Sequence, residues 1–265
     1  MNYAVVGYPI KHTLSPVIHD ANFKALNVEA DYMALEVTPE GLGDIKALVN
    51  EYNLSGFNVT VPHKEKIMKH LDWIAPAAEK IGAVNTVHIK DGRYCGYNTD
   101  ITGYMKAFND AFGTGCRRVL ILGAGGAAKA VYRAHADNGD EVTVIARRRE
   151  SFESFKTADF NGVLNTEFTG GSYDAVINAT PLGLKGEDVF EAFQLDSSFI
   201  TDDTAGMDLI YNPAVTPFMN YFNNNANGLG MLVNQALDAF EIWTGKHGSN
   251  KAVQTALQQY MEERK

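Results

Sequence analysis

The groups in this sequence best placed to move a proton are a lysine just past a proline-ended strand and a carboxylate further along the chain. Lys64 follows Asn58-Val59-Thr60-Val61-Pro62-His63, and Asp100 closes the stretch Asn98-Thr99-Asp100. Oxidising an alcohol to a ketone sends a hydride to a nicotinamide and a proton to the protein. An amine coupled to a carboxylate can take that proton and stabilise the developing oxyanion. The carboxylate would orient the amine and shift its pKa. Each residue also has a plainer reading: Lys64 as a solvated side chain in a first helical turn, Asp100 as a helix N-cap. Asn58 and Thr60 alternate with Val59 and Val61, so one strand face can present an amide and a hydroxyl while the other packs in the core.

A second candidate is Gly123-Ala124-Gly125-Gly126-Ala127-Ala128. It follows the apolar run Arg118–Leu122 and opens a helix predicted over Gly126–Asp137, the context in which a glycine-rich turn cradles a dinucleotide. The first glycine allows the tight turn, the second admits a pyrophosphate to the backbone, and the small Ala128 lets helix and strand pack closely. Helix N-terminal amides then favour the phosphates. Packing alone can also require such glycines. The next strand ends in Ala146-Arg147-Arg148-Arg149, with no carboxylate before Glu150. NAD enzymes commonly place an acidic residue there for the ribose 2′-hydroxyl, whereas guanidinium groups suit a 2′-phosphate. The pattern points to NADP, against a solvated basic turn.

The elements that must hold these groups alternate. Strands are predicted at Tyr3–Gly7, Asp31–Val37 and Phe57–Val61. Helices are predicted from Ser15-Pro16, with Ser15 as cap, from Thr38-Pro39-Glu40 to Tyr52, after Lys64, and over Pro76–Ile81. Val84–Ile89 and Tyr94–Tyr97 read as a hairpin about Asp91-Gly92. A helix over Ile101–Phe112 leads to Gly113-Thr114-Gly115, a candidate hinge. Strands over Arg118–Leu122, Glu141–Ala146, Tyr173–Asn178 and Ala205–Leu209 follow. A helix after Asn212-Pro213 is predicted to end near Asn223-Asn224-Asn225, and Met231–Trp243 and Lys251–Glu263 read as helices. Met231-Leu232 and Phe240–Trp243 read as core. This alternation implies an α/β protein with mostly parallel sheets.

The bulk properties exclude several classes. With 265 residues, 45% hydrophobic and 21% charged, the chain can bury one or two full cores without staples. A net charge of −9 argues against broad nucleic-acid binding. Cys95 and Cys116 lack metal-site or disulfide spacing, so reduced buried thiols and no metal are expected. The start reads as a strand rather than a signal peptide, and no run suits a membrane span, so a cytoplasmic location is expected. His12, His19 and His63 are assigned no catalysis.

These stretches together resemble the shikimate dehydrogenase family over nearly the whole chain. The blocks are Gly7–Pro16, Gly56–Lys64, Gly82–Thr86, Gly96–Asp100, Asn178–Pro181, Asp208–Pro213 and Asn227–Ala236. The resemblance implies two domains. Residues 1–102, completed by helices in 234–265, would bind substrate, and 103–233 would be a Rossmann-type NADP domain. It implies reversible NADPH-dependent reduction of 3-dehydroshikimate to shikimate, a step towards chorismate and the aromatic amino acids, in a monomer or homodimer. Lys64 and Asp100 would be catalytic. Thr13, Ser15, Asn58, Thr60, Asn85 and Gln235 would hold substrate, with Tyr211 reaching it from the other domain. Gly123, Ala124, Gly125, Gly126, Ala127, Arg147, Arg148, Thr180, Leu209 and Gly228 would serve the cofactor. Thr13 stands where the family usually has serine, which bears on shikimate against quinate. Ala146-Arg147-Arg148 replaces the common Asn-Arg-Thr. The rivals are a quinate/shikimate dehydrogenase with relaxed cofactor use and a catalytically silent nucleotide-binding sensor.

Overall fold

The computed structural model describes residues 1–10, 13–115, 117–153, 155 and 160–263. Lys11, His12 and Cys116, which figure in the sequence reading, lie outside the described residues. The chain divides into two compact units, Met1–Thr99 with Val233–Lys265, and Asp100–Leu232.

The first unit carries a six-stranded mixed sheet, ordered β2-β1-β3-β5-β6-β4. Its strands are β1 (Asn2–Gly7), β2 (Asp31–Glu36), β3 (Leu54–Val59), β4 (Trp73–Ile74), β5 (Thr86–Lys90) and β6 (Arg93–Tyr97). β1 runs parallel to both β2 and β3, and β5 is antiparallel to β3 and β6. The period of two in β1 feeds two cores. Ala4 and Val6 join Phe57, Val59 and α2 (Ile45–Tyr52), whereas Tyr3 and Val5 join Phe23 of α1 (Ser15–Ala25) and Phe240 and Trp243 of α7 (Leu229–Thr244). Asn58, between Phe57 and Val59, therefore lies on the α1/α7 face. The predicted hairpin turn is present, with Asp91 and Gly92 both at positive φ (51° and 74°). α3 (Pro76–Ile81) and α8 (Asn250–Glu262) complete the unit.

The second unit is built on a six-stranded parallel sheet, ordered β12-β11-β10-β7-β8-β9. Its strands are β7 (Arg118–Leu122), β8 (Glu141–Ala146), β9 (Asn161–Leu164), β10 (Ala175–Asn178), β11 (Ala205–Asp208) and β12 (Asn224–Ala226). This is the Rossmann-type order, with β7 and β10 at the switch point. β7 is apolar on both faces because both are covered. Val119 and Ile121 pack under α4 (Asp100–Phe112) and α5 (Gly126–Asn138), and Leu120 and Leu122 pack with α6 (Val189–Phe193).

Several boundaries differ from the sequence reading. Helix α1 begins at Ser15 itself, with Leu14 at the cap position and no side-chain cap bond. The Ser15 amide donates instead to Thr13 Oγ1 at 3.2 Å. The helix expected from Thr38 is a 3-10 turn, Gly41–Asp44, before α2, and the one after Lys64 is the 3-10 segment Lys66–His70. β3 ends at Val59 rather than Val61. Past Val59, whose amide still donates to Asn85 O, the chain bonds to the β1 side, and Val61 is 67% exposed rather than in the core. The segment after Asn212-Pro213 holds only a 3-10 turn, Pro217–Tyr221, and the asparagine run forms edge strand β12. Cys95 is half-buried and free.

Candidate active site

At the end of β3 in the first unit, neutral side chains interlock. Tyr32 Oη donates to Asn58 Oδ1 at 2.7 Å. Asn58 Nδ2 donates to Asn85 O at 3.2 Å and to Thr86 Oγ1 at 3.0 Å. Thr86 Oγ1 reaches Asn85 Oδ1 at 2.9 Å, Thr99 N donates to the same oxygen at 2.8 Å, and Asn85 Nδ2 donates to Thr99 Oγ1 at 3.0 Å. All of these residues are buried, where an unmet polar group costs about 1–3 kcal/mol. Beside α1, Thr13 Oγ1 donates to Ser15 Oγ at 3.1 Å. The structure thus gathers Asn58 and Asn85 in one network, and pairs Thr13 with Ser15 by a separate bond.

Lys64 is anchored through its backbone carbonyl. Its carbonyl accepts from Val84 N at 2.8 Å, immediately before Asn85. Its neighbour His63 is fully buried, donates its Nε2–H to Val37 O at 2.6 Å and caps a turn on Thr60 O through its amide. Thr60 donates its amide to Val6 O, and its methyl occupies the space a Cβ on Gly7 would need, so a larger residue at Gly7 would displace it. Gln235 lies half-buried on α7. His19, one turn after Ser15, is fully buried and stacks on Tyr32 with ring centroids 4.3 Å apart at 11°. Neither of its ring nitrogens makes a hydrogen bond of ordinary geometry. Burial holds this imidazole down to about 3, partly opposed by Asn58.

In the second unit the β7–α5 turn builds a cavity of about 390 Å³. Gly123, Ala124 and Gly125 form one wall, Arg147 and Arg148 another, and Ala179–Leu182 a third. Gly123 sits at φ +103°, and an added Cβ would lie 2.7 Å from Thr180 Cγ2 and 3.2 Å from Ala179 O. A side chain is excluded there by conformation and by space. Added Cβ atoms at Gly125 and Gly126 would meet nothing, so that backbone is open to a ligand. Gly125 caps α5 without a side-chain bond, which leaves the first amides of the helix for an anion. Among the described residues neither Arg147 nor Arg148 is paired with a carboxylate, whereas Arg149 is bound to Glu167 at 2.6 Å. Arg147 lies over the Phe193 ring, 5.4 Å from its centroid. A glycine cradle, a helix start and two uncompensated guanidinium groups fit a dinucleotide with an extra phosphate.

The remaining candidates in this unit are placed separately from that cavity lining. Ala127 is exposed in the first turn of α5. Gly228 donates to Ile210 O at 3.1 Å, and a Cβ on it would collide with Leu209 O, so Leu209 and Gly228 are brought together by backbone contact. Tyr211 follows, half-buried, with its phenol pKa raised by burial. Asp100 is buried in the first turn of α4, where a carboxylate meets the positive end of the helix dipole. Asn178 and Asp208 brace the third cavity wall. Asn178 Oδ1 accepts from Thr180 N at 3.1 Å and Oγ1 at 2.7 Å, and Nδ2 donates to Asp208 and to Leu182 O.

Sequence reasoning missed Tyr32, Thr86 and Thr99 in the first unit and Ser151 and Phe193 in the cavity of the second. Thr86 and Thr99 stand inside blocks already singled out, beside Asn85 and Asp100. Tyr32 carried no signal, because its partner is 26 residues away.

Comparison with known proteins bears on both units. Residues 5–87 match the family model for the shikimate dehydrogenase substrate binding domain, and 228–258 that for the shikimate 5'-dehydrogenase C-terminal domain. The chain is 37% identical over 269 residues to the shikimate dehydrogenase (NADP(+)) of Staphylococcus aureus strain JH9, covering 99% of both. It is similar to the crystal structure of shikimate dehydrogenase from Aquifex aeolicus, with TM-score 0.86, 31% identity and 97% of each chain covered. It also resembles the shikimate 5-dehydrogenase of Thermus thermophilus in complex with NADP(H) and shikimate, with TM-score 0.85, 32% identity, and 98% and 99% of the two chains covered.

Proposed function

The chain belongs to the shikimate dehydrogenase family, and on that premise we propose that it catalyses the reversible, NADPH-dependent reduction of 3-dehydroshikimate to shikimate. The observation that carries the reading is the coexistence of a neutral hydrogen-bonding cluster beside Lys64 with a glycine-walled cavity bearing Arg147 and Arg148. A polyhydroxy acid suits the cluster, since each hydroxyl needs a fixed partner and an unmet one is costly. The arginines favour NADP over NAD by offering charge-assisted bonds to a 2′-phosphate.

In this reading the bound nicotinamide supplies or accepts the hydride. Thr13, Ser15, Asn58, Thr60, Asn85, Tyr211 and Gln235 hold the substrate hydroxyls and carboxylate. Lys64 carries the proton at its Nζ, and Asp100 is its carboxylate partner. Gly123–Ala127 hold the pyrophosphate and Arg147 and Arg148 the 2′-phosphate, and Thr180, Leu209 and Gly228 complete the cofactor site. The first unit acts as substrate domain and the second as NADP domain. No helix among the described residues is long and apolar enough to cross a membrane, and the proposed setting is the cytoplasm, as a monomer or homodimer. Steady-state oxidation of shikimate and of quinate, each with NADP and with NAD, tests the reading. The expected result is preference for shikimate with NADP, and absence of turnover with every pair would reject it.

A further inference from the structure

We propose that Tyr32 is a positioning residue for substrate binding, acting through Asn58 by fixing which of the Asn58 amide atoms a ligand meets. The inference rests on the shikimate dehydrogenase reading and deepens it.

The orientations of the Asn85 and Asn58 amides are forced from two backbone groups. Thr99 N can only donate, so the Asn85 atom it meets at 2.8 Å is the oxygen, and Asn85 Nδ2 faces Thr99 Oγ1. Asn85 O can only accept, so the Asn58 atom facing it is Nδ2. The second Nδ2 proton goes to Thr86 Oγ1, whose own proton is directed at Asn85 Oδ1. Asn58 Oδ1 is thereby turned towards Tyr32, which must donate to it. Both amide protons of Asn58 are committed inside the protein. Asn58 can meet a substrate hydroxyl only as an acceptor.

Tyr32 is built for this task. It lies on β2, opposite Tyr3 of β1, within the α1/α7 core. His19 stacks flat on its ring, and Trp243 lies 6.2 Å from it. The phenol cannot swing away from Asn58 without breaking these ring contacts. Without it, Asn58 Oδ1 keeps an unpartnered lone pair in a buried site and loses its fixed orientation.

The test is steady-state kinetics of Tyr32→Phe alone and combined with Asn58→Ala. Tyr32→Phe is expected to raise KM for shikimate about tenfold, lower kcat less than about threefold and leave KM for NADP unchanged. In the Asn58→Ala background the same change should alter KM for shikimate less than about twofold, because the route through Asn58 is gone. An unchanged KM in the single variant, or an undiminished effect in the double, overturns the inference. Should Tyr32→Phe fail to fold, Thr86→Val breaks the same series on the other side of Asn58. It must then show the same KM-only loss, with Thr86→Ser restoring it. Turnover of shikimate by the unmodified chain separates the two claims: its absence rejects the functional reading, and its presence with unaltered variant kinetics rejects this inference alone.

Discussion

β3 of the first unit and β7 of the second both lie inside their sheets, and both end in segments proposed to bind ligand, yet they are built on opposite terms. The end of β3 is a lattice of side chains, Tyr32, Asn58, Asn85, Thr86 and Thr99, each satisfied by another. The end of β7 is backbone. Gly123 is there because a side chain does not fit, and Gly125 and Gly126 because the backbone must stay open. The first kind of site loses function when one polar atom is deleted. The second fails when an atom is added at Gly123. The difference suits the proposed ligands: hydroxyls placed around a ring need individual partners, whereas a pyrophosphate is met by a row of amides.

The largest expected effect tests the side-chain end. Lys64→Ala should lower kcat for shikimate oxidation about 10³-fold by removing the proton carrier. A loss of less than about tenfold would break its assignment. Next, replacing both Arg147 and Arg148 with alanine should raise KM for NADP about thirtyfold and that for NAD less than about threefold. Equal effects on the two cofactors would show that the arginines do not read the 2′-phosphate.

His19 gives the comparison a pH dependence. Its folded-state value of about 3 lies below the ordinary 6.5, so the unfolded chain binds more protons in that window. Stability is therefore full above about pH 6.5 and falls as pH drops towards 3. Between about pH 7.5 and 5 the loss from this residue is about 2 kcal/mol. Denaturant unfolding at the two pH values should show this component in the wild type and its absence in His19→Phe. In the second unit, His135 is instead satisfied on both nitrogens, by Tyr104 Oη at 2.7 Å and Asp140 Oδ2 at 2.5 Å. The smallest effect tests the backbone end: Gly123→Ala should raise KM for NADP and NAD alike, about tenfold, and leave KM for shikimate unchanged. Discrimination between the two cofactors in this variant would contradict a pure backbone role.

Local chemistry made much of the molecule readable in advance. The alternation of elements, the apolar run of β7, the turn at Gly123, the arginines after β8 and the hairpin at Asp91-Gly92 all follow from short-range rules of pattern and conformation. Element ends were less legible. Ser15 reads as a helix cap, but Thr13 satisfies its amide and the helix begins at Ser15. The asparagines at 224 and 225 read as a helix end, and only pairing with β11 makes them a strand.

The sequence by itself determined the α/β class, the glycine turn and the residue types available for proton transfer and phosphate binding, because these depend on periodicity, backbone sterics and side-chain chemistry within a few residues. Only the tertiary structure decided that Asn58 faces the α1/α7 layer, that Val61 lies outside the core and that Tyr32 governs the Asn58 amide. Those outcomes depend on which strands lie side by side and on burial, which forces each polar atom to find a partner from a distant part of the chain.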